Sequence, residues 1–361
     1  VRALTRLLLA WSLVSIAACE LATHAFDYQI APPAAPAPSV CAPCPTGADL
    51  RIPPCPVDDP SPDLGRPFVF AARRSHLGHP ADIVSPLFDF GLDLDCSTRP
   101  GGLPVLCVPL SETGWSALPH GIDDALLTRV LAPAYLASAT GAAVDLDAVV
   151  SGALERGRYG VVVSVRDWNG LPDDPSVEVT LRTSPGLGSG AVPAWAGSDE
   201  WLPYPDVDAD GVRRLALYDV SGYVSGGTLV VDARSLGASL FRVGPRGASL
   251  DLLLGRLVFI GFLTPTALAG FTMTGMIDQP SARAAVLAFG NPLAPCAGAA
   301  GAFVASLSPE VAVAPDMPFA PTPDASAPCD GISFAWSLDA EPAILASEAG
   351  DGGVDGGAPC P

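Results

Sequence analysis

Hydrophobic and polar residues alternate through most of the second half of this chain. That is the period expected of strands with one buried and one wet face. SVEVTLRT (176–183) alternates along its whole length, and RYGVVVSVRDW (158–168) is dense in β-branched residues. The connection between them, DWNGLPDD, offers Asn-Gly, then Pro, then paired Asp, so the two stretches predict a hairpin. PFVFAARR (67–74) and DFGLDLD (89–95) predict earlier strands. GGTLVVDA (226–233), SLDLLLGRLVFIGFL (249–263), GFTMTGMI (270–277) and GISFAWSLDA (331–340) predict later ones. Three stretches change to a helical period. In 121–137, Ile122, Leu126 and Val130 recur at four-residue spacing, and Asp123 and Asp124 suit the positive end of a helix dipole. Residues 145–156 predict a second helix ended near Gly157, and PSARAAVLAFG (280–290) predicts a third.

One stretch admits a second reading. Leu257 to Ile277 carries no charge and is long enough to cross a bilayer as a helix. Pro265, several Gly and Thr, and alternation on both sides of a TPTALAG turn favour a buried β-hairpin instead. Together the elements predict one mainly β domain over 65–345: a disulfide-stapled β-sandwich, jelly-roll or lectin-like, with a few peripheral helices.

The beginning of the chain carries an address. Arg2 and Arg6 precede an uncharged stretch, Leu7 to Ala18, that suits a secretory signal and is too short for a membrane span. The stretch ends Ile16-Ala17-Ala18-Cys19, which resembles the bacterial lipobox. That resemblance implies a signal peptide over 1–18 and acylation of Cys19, palmitate being a typical chain. Glu20, rather than Asp, after the cysteine implies sorting to the outer membrane. Residues 19–64 are rich in Pro, Ala and Cys and read as a tether, and 346–361 read as a flexible acidic tail.

Composition narrows the chemistry. The chain has 361 residues, and its 19 basic residues are all Arg. With no Lys, it has neither a Walker A lysine nor a Schiff-base lysine. A net charge of −19 argues against nucleic acid or anionic lipid as a partner. Of nine cysteines, eight remain once Cys19 is set aside: Cys41, Cys44, Cys55, Cys96, Cys107, Cys296, Cys329 and Cys360. In an oxidising compartment these should pair as disulfides, with Cys96–Cys107 and Cys296–Cys329 the favoured pairs. The Cys41–Cys44 CxxC lies in the tether without the second ligand pair that zinc usually takes.

The order of local motifs resembles a group of secreted lipoproteins found in myxobacteria. The matching stretches are FGLDLDC (90–96), Gly-Ile-Asp-Asp (121–124), VRDWNGLPDD (165–174), WAGSDEW (195–201), GYVSGGTLV (222–230) and PCDGISFAWSLDAEPA (328–343). Where that group tends to show Gly-x-Asp-Asn, this chain has Asp124 in the last position. The resemblance implies export and a shared domain over about 65–343, and it brings no activity with it.

Candidate sites are few. Asp206, Asp208 and Asp210 followed by Gly211 match the first half of a calcium loop, but Leu217 stands where the bidentate Glu belongs. Asp167, Asn169, Asp173 and Asp174 share one loop, where calcium ligation competes with ordinary Asx-turn chemistry. Calcium is the only cofactor these patterns would take. Trp168, Trp195, Trp201 and Tyr204 are candidates for stacking on sugar rings if exposed, and for core packing if not. His76 and His79 form HxxH without an evident third ligand, and no Gly-x-Ser-x-Gly elbow nominates a nucleophile. The readings in order are a lipid-anchored, non-catalytic surface module for glycan or protein, a structural envelope protein without a small ligand, and an extracellular hydrolase. Cys19→Ala should move the protein from the membrane to the soluble fraction; detergent-dependent fractionation of that variant would refute lipid anchoring at Cys19.

Overall fold

The structure is a computed structural model. It describes residues 52–56, 62–77, 124–131, 146–187, 191–204, 217–234, 238–243, 250–293, 307, 310–316, 319 and 326–346. The strands are β1 (Phe68–His76), β2 (Gly160–Arg166), β3 (Asp174–Ser184), β4 (Glu200–Trp201), β5 (Leu217–Ser225), β6 (Thr228–Ala233), β7 (Ser239–Val243), β8 (Leu250–Thr264), β9 (Ala267–Asp278), β10 (Gly331–Pro342) and β11 (Ile344–Leu345). Helical segments cover Leu126–Leu131, with π-type bonding, Leu146–Glu155 and Gln279–Leu293. The expected strand at 89–95 and the calcium-loop residues Asp206, Asp208 and Asp210 lie outside the described residues, as do Cys41, Cys44, Cys96, Cys107, Cys296 and Cys360.

Eight antiparallel strands run in chain order round a closed barrel: β1, β2, β3, β5, β6, β8, β9 and β10. β10 pairs back to β1, from Phe70 opposite Pro342 to His76 opposite Ser337. β8 is long enough to serve two neighbours on one edge. Its second half pairs with β6, Leu257 opposite Ala233, and its first half pairs with β7, Leu254 opposite Ser239. The expected sandwich is therefore incorrect. A sandwich and a small barrel make the same demand on each strand, apolar inward and polar outward. The partner of the last strand distinguishes them, and that pairing is not written in the pattern of either strand. The staples are also not where closure occurs. Cys55 and Cys329 each take part in a disulfide, but no barrel strand contains a cysteine, so no disulfide crosses the β1–β10 seam.

The lumen is filled. Phe70, Val163, Leu181, Val231, Phe259, Phe271, Phe334 and Leu338 belong to one buried cluster inside the wall. On the other face Arg166, Asp232 and Asp339 are exposed. This alternation is the reverse of a membrane barrel, whose outer face is apolar. Phe259 and Phe271 stack with centroids 5.7 Å apart. The gap they share with Val179, Leu181, Leu217, Val220 and Val231 has no room for a water molecule. Register shifts interrupt the β3–β5 and β8–β9 ladders, and at two of them Asp219 and Arg256 take positive φ, 52° and 51°. Such bulges add the local twist that a sheet needs in order to close on itself.

Both ends of the barrel are plugged. At one, Trp168 lies edge-on to Phe68 at 4.8 Å and donates its Nε1–H to the Leu171 carbonyl at 2.9 Å. At the other, the helix Leu146–Glu155 packs on β1 with Leu154 fully buried. Ser75 N donates to Ser151 Oγ at 3.0 Å, Ser151 Oγ donates to the Ser75 carbonyl at 3.1 Å, and Trp336 Nε1 donates to Ser75 Oγ at 2.7 Å. Outside the wall, the short parallel pair β4–β11 holds Trp201 against Ala71 and Val162. A Cβ at Gly160 would stand 2.6 Å from the Trp201 ring, so this close approach requires glycine. The end of the expected tether also packs on the barrel. Ile52 lies against Val258 and Met276, the Pro53 carbonyl accepts from Tyr223 Oη at 2.7 Å, and Leu64 N donates to the Trp168 carbonyl at 3.2 Å.

Phe271→Ala should destabilise the protein by about 3–5 kcal/mol, because the ring is buried and its neighbours are held by the sheet on every side. Thr266→Ala in the exposed β8–β9 turn should stay within about 0.5 kcal/mol. Urea unfolding of both variants checks the contrast; a small loss for Phe271→Ala would mean that the lumen collapses readily around a void.

Candidate functional site

β10 runs past the end of its partner. β1 stops at His76, opposite Ser337, so residues 331–336 have β9 on one side and no strand of β1 on the other. Backbone groups along that edge need hydrogen bonds from elsewhere. Two aspartates supply them. Asp316 N donates to the Gly331 carbonyl at 3.0 Å, and Asp316 Oδ1 accepts from Ser333 N at 3.0 Å. Asp316 Oδ2 accepts from Ser333 Oγ at 2.6 Å. Asp124 accepts from the backbone N–H of Ala335, and its Oδ1 accepts from Leu127 N at 2.9 Å, capping the turn that follows. Ala125 N completes the set by donating to Ser333 Oγ at 2.9 Å, and Arg129 Nη1 donates to the Ala314 carbonyl at 3.3 Å.

The two carboxylates lie in a poorly solvated place. Burial pushes the Asp124 carboxyl well above the usual aspartate range; the Leu127 and Ala335 N–H bonds pull it down in part, and the charge of Asp316 pushes it up further. Burial also raises Asp316, against the opposing pull of Ser333 and Arg129. Two neighbouring acids with raised pKa are a combination found at functional sites. Here their hydrogen bonds go to the backbone of β10 and of the turn after Asp124, which is the work of a missing strand. The arrangement latches two connecting segments onto the barrel.

A second charged group lies on the convex outer wall of β2, β3 and β5. Arg166 Nη2 meets Glu178 Oε1 at 3.0 Å and also pairs with Asp219, whose Oδ1 accepts from Thr180 Oγ1 at 3.1 Å. Burial and the neighbouring Asp219 charge raise the Glu178 carboxyl. These side chains remain partly exposed, and water screens their mutual attraction.

The structure brings few of the expected site residues together as a site. In the DWNGLPDD loop, Asn169 N donates to Asp174 Oδ2 at 2.8 Å, Leu171 N to Asn169 Oδ1 at 2.8 Å and Ser176 N to Asp174 Oδ1 at 3.0 Å. Asp173 Oδ1 accepts from Gly226 N at 2.8 Å, and Asp167 is exposed at a positive φ of 58°. This is Asx-turn chemistry, and it ties the β2–β3 loop to the β5–β6 turn. Among the described residues no three His, Cys, Asp or Glu side chains are grouped to hold a metal. Trp168 and Trp201 are buried. Trp195 is half-buried, with Nε1 donating to the Glu155 carbonyl at 3.2 Å and the Arg73 guanidinium over its ring. Tyr204 is half-buried beneath Arg242. His76 Nδ1 lies 3.0 Å from Asp147 Oδ2; His79 is outside the described residues.

The reading from sequence missed the edge latch. Asp124 was legible as a residue at a helix start, and it does cap that turn. Its bond to Ala335 joins residues far apart in the chain, and the bonds of Asp316 to Ser333 bridge a connection with no regular period, so neither leaves a local signal. Comparison with protein family models, with curated proteins and with solved structures found no match to this chain.

The raised carboxyls make stability depend on pH with a definite sign. A group that holds its proton longer when folded than when unfolded contributes fully below the ordinary aspartate value, and the contribution is lost as pH rises through the folded value. Urea midpoints should therefore fall as pH rises from about 4 toward neutrality, and Asp124→Asn, which keeps an acceptor for Leu127, should flatten that fall. An unchanged slope in the variant would show that Asp124 is not the group responsible.

Proposed function

We propose that this protein is an exported, lipid-anchored module of the cell envelope that acts without catalysis and engages other macromolecules through the outside of its barrel. The observation that carries the reading is the filled lumen. Up-and-down barrels that carry small ligands keep a hollow interior, whereas this interior is packed with Phe, Val and Leu, and the gap around Phe259 and Phe271 has no room for water.

The rest of the case is chemical. Trp168 and Trp201, two of the rings proposed to stack on sugars, are spent on packing, which favours a protein partner or a structural role over a glycan. The buried acids are occupied in capping β10. The lipobox-like Ile16-Ala17-Ala18-Cys19 and the basic, then apolar, leader support the anchor.

The test is a titration of the purified full chain with a fluorescent fatty-acid probe, beside a glycan array and a crosslinking experiment on intact cells. The expected result is no saturable fatty-acid or glycan binding, with a discrete crosslinked protein. A saturable, stoichiometric fatty-acid complex that shifts the melting temperature upward would overturn the reading in favour of a carrier. Specific glycan binding would assign the surface to sugar instead.

A further inference from the structure

One end of the barrel exposes apolar side chains that the core does not use. Leu64 is 50% exposed, Leu171 44% and Phe262 54%. They come from different parts of the chain but share one rim. Gly227 N donates to the Pro172 carbonyl at 2.7 Å, and Leu263 N donates to the Gly227 carbonyl at 2.8 Å. A Cβ on Gly227 would stand 2.9 Å from the Phe262 ring, and one on Gly170 would stand 2.7 Å from Leu64. The β2–β3 loop, the β5–β6 turn and the β8–β9 hairpin therefore end side by side. The longest of the three, β8–β9, has no charged residue from Leu257 to Ile277 and also exposes Pro265, Thr266 and Ala269 at its tip. Carboxylates border the rim: Asp63 beside Leu64 and Asp167 in the β2–β3 loop are exposed, while Asp173 accepts from Gly226 N and Asp339 Oδ1 from Gly270 N.

We infer that this rim, Leu64, Leu171 and Phe262 with the uncharged β8–β9 tip, docks into the interfacial region of the bilayer that carries the lipid anchor. The inference rests on the anchored reading proposed above. Val149, Val192, Val313 and Ile344 are also exposed elsewhere, but the rim joins exposed apolar side chains from three adjoining segments, and such a grouping marks an interaction surface. The occupant follows from the anchor and the charge. A chain acylated at Cys19 keeps a bilayer within reach of its tether, so docking becomes an intramolecular step and even a small apolar contact suffices. The rim offers no cation cluster for acidic headgroups, and the net charge of −19 repels them. The surface it fits is zwitterionic, entered by apolar side chains.

The experiment uses the lipidated full chain on phosphatidylcholine vesicles, with hydrogen exchange read segment by segment. Residues 170–173, 225–228 and 262–270 should exchange more slowly on vesicles than in solution. Phe262→Asp and Leu171→Asp, both at exposed positions, should lose that protection while the chain still sediments with the vesicles through its lipid. Phe262→Trp supplies a second reading: its added emission should shift to the blue on vesicles. Sedimentation with unchanged exchange and no blue shift would overturn the docking and leave the anchor standing. A lipidated preparation that stays in the supernatant would overturn both. Protection that depends on protein concentration without vesicles would assign the rim to a second copy of the chain and overturn the bilayer as its occupant.

Discussion

Everything in this molecule depends on closure of the sheet. β1 and β10 are separated by more than 250 residues, and their pairing turns a meander of hairpins into a barrel with a sealed lumen. Until that pairing forms, Phe334, Trp336 and Leu338 on one side and Phe70 and Ala72 on the other have no common interior to enter. Long-range pairing of this kind incurs a large loop-closure entropy before it is rewarded, so apolar burial must be extensive to offset it. The filled lumen supplies that burial. Within the lumen, the side chains that stabilise closure occupy volume that a carrier would keep open.

Closure is imperfect at one place, and the chain repairs it with side chains. Where β10 outruns β1, Asp316 and Asp124 take over hydrogen bonds that a strand would make. An open edge beside an apolar core is a hazard for edge-to-edge association, and covering it is the usual remedy. Carboxylates cover it here at the expense of desolvation, which is why their pKa values rise. The same latch holds the turn Leu126–Leu131 and the segment before Asp316 against the wall, so these two pieces of the connections are part of the fold.

The opposite end is finished differently. Trp168 plugs the lumen, and three turns surround it, the β8–β9 turn carrying no charge. One end of the barrel is thus secured by a polar latch and packed helices, while the other presents apolar rims. That asymmetry gives the body a direction.

Much of the local structure was legible in the sequence. The β2–β3 hairpin follows from two β-branched runs around DWNGLPDD, and the β8–β9 hairpin from alternation on both sides of the turn that begins Thr264-Pro265. The helix Leu146–Glu155 ends where Gly157, at φ 63°, predicted it would. β5 and β7 were missed because Gly222 and the short run at 239–243 carry weak periodicity, and their strand character comes from their neighbours. The sequence by itself determined most of the barrel strands, which face of each of these is apolar, and the lipobox-like pattern at Cys19. Only the tertiary structure decided that the sheet closes rather than stacks, that the lumen is packed, and that Asp124 and Asp316 both cap the free edge of β10. The reason is physical: alternation records that a face is buried, and it carries no record of which distant strand or side chain buries it.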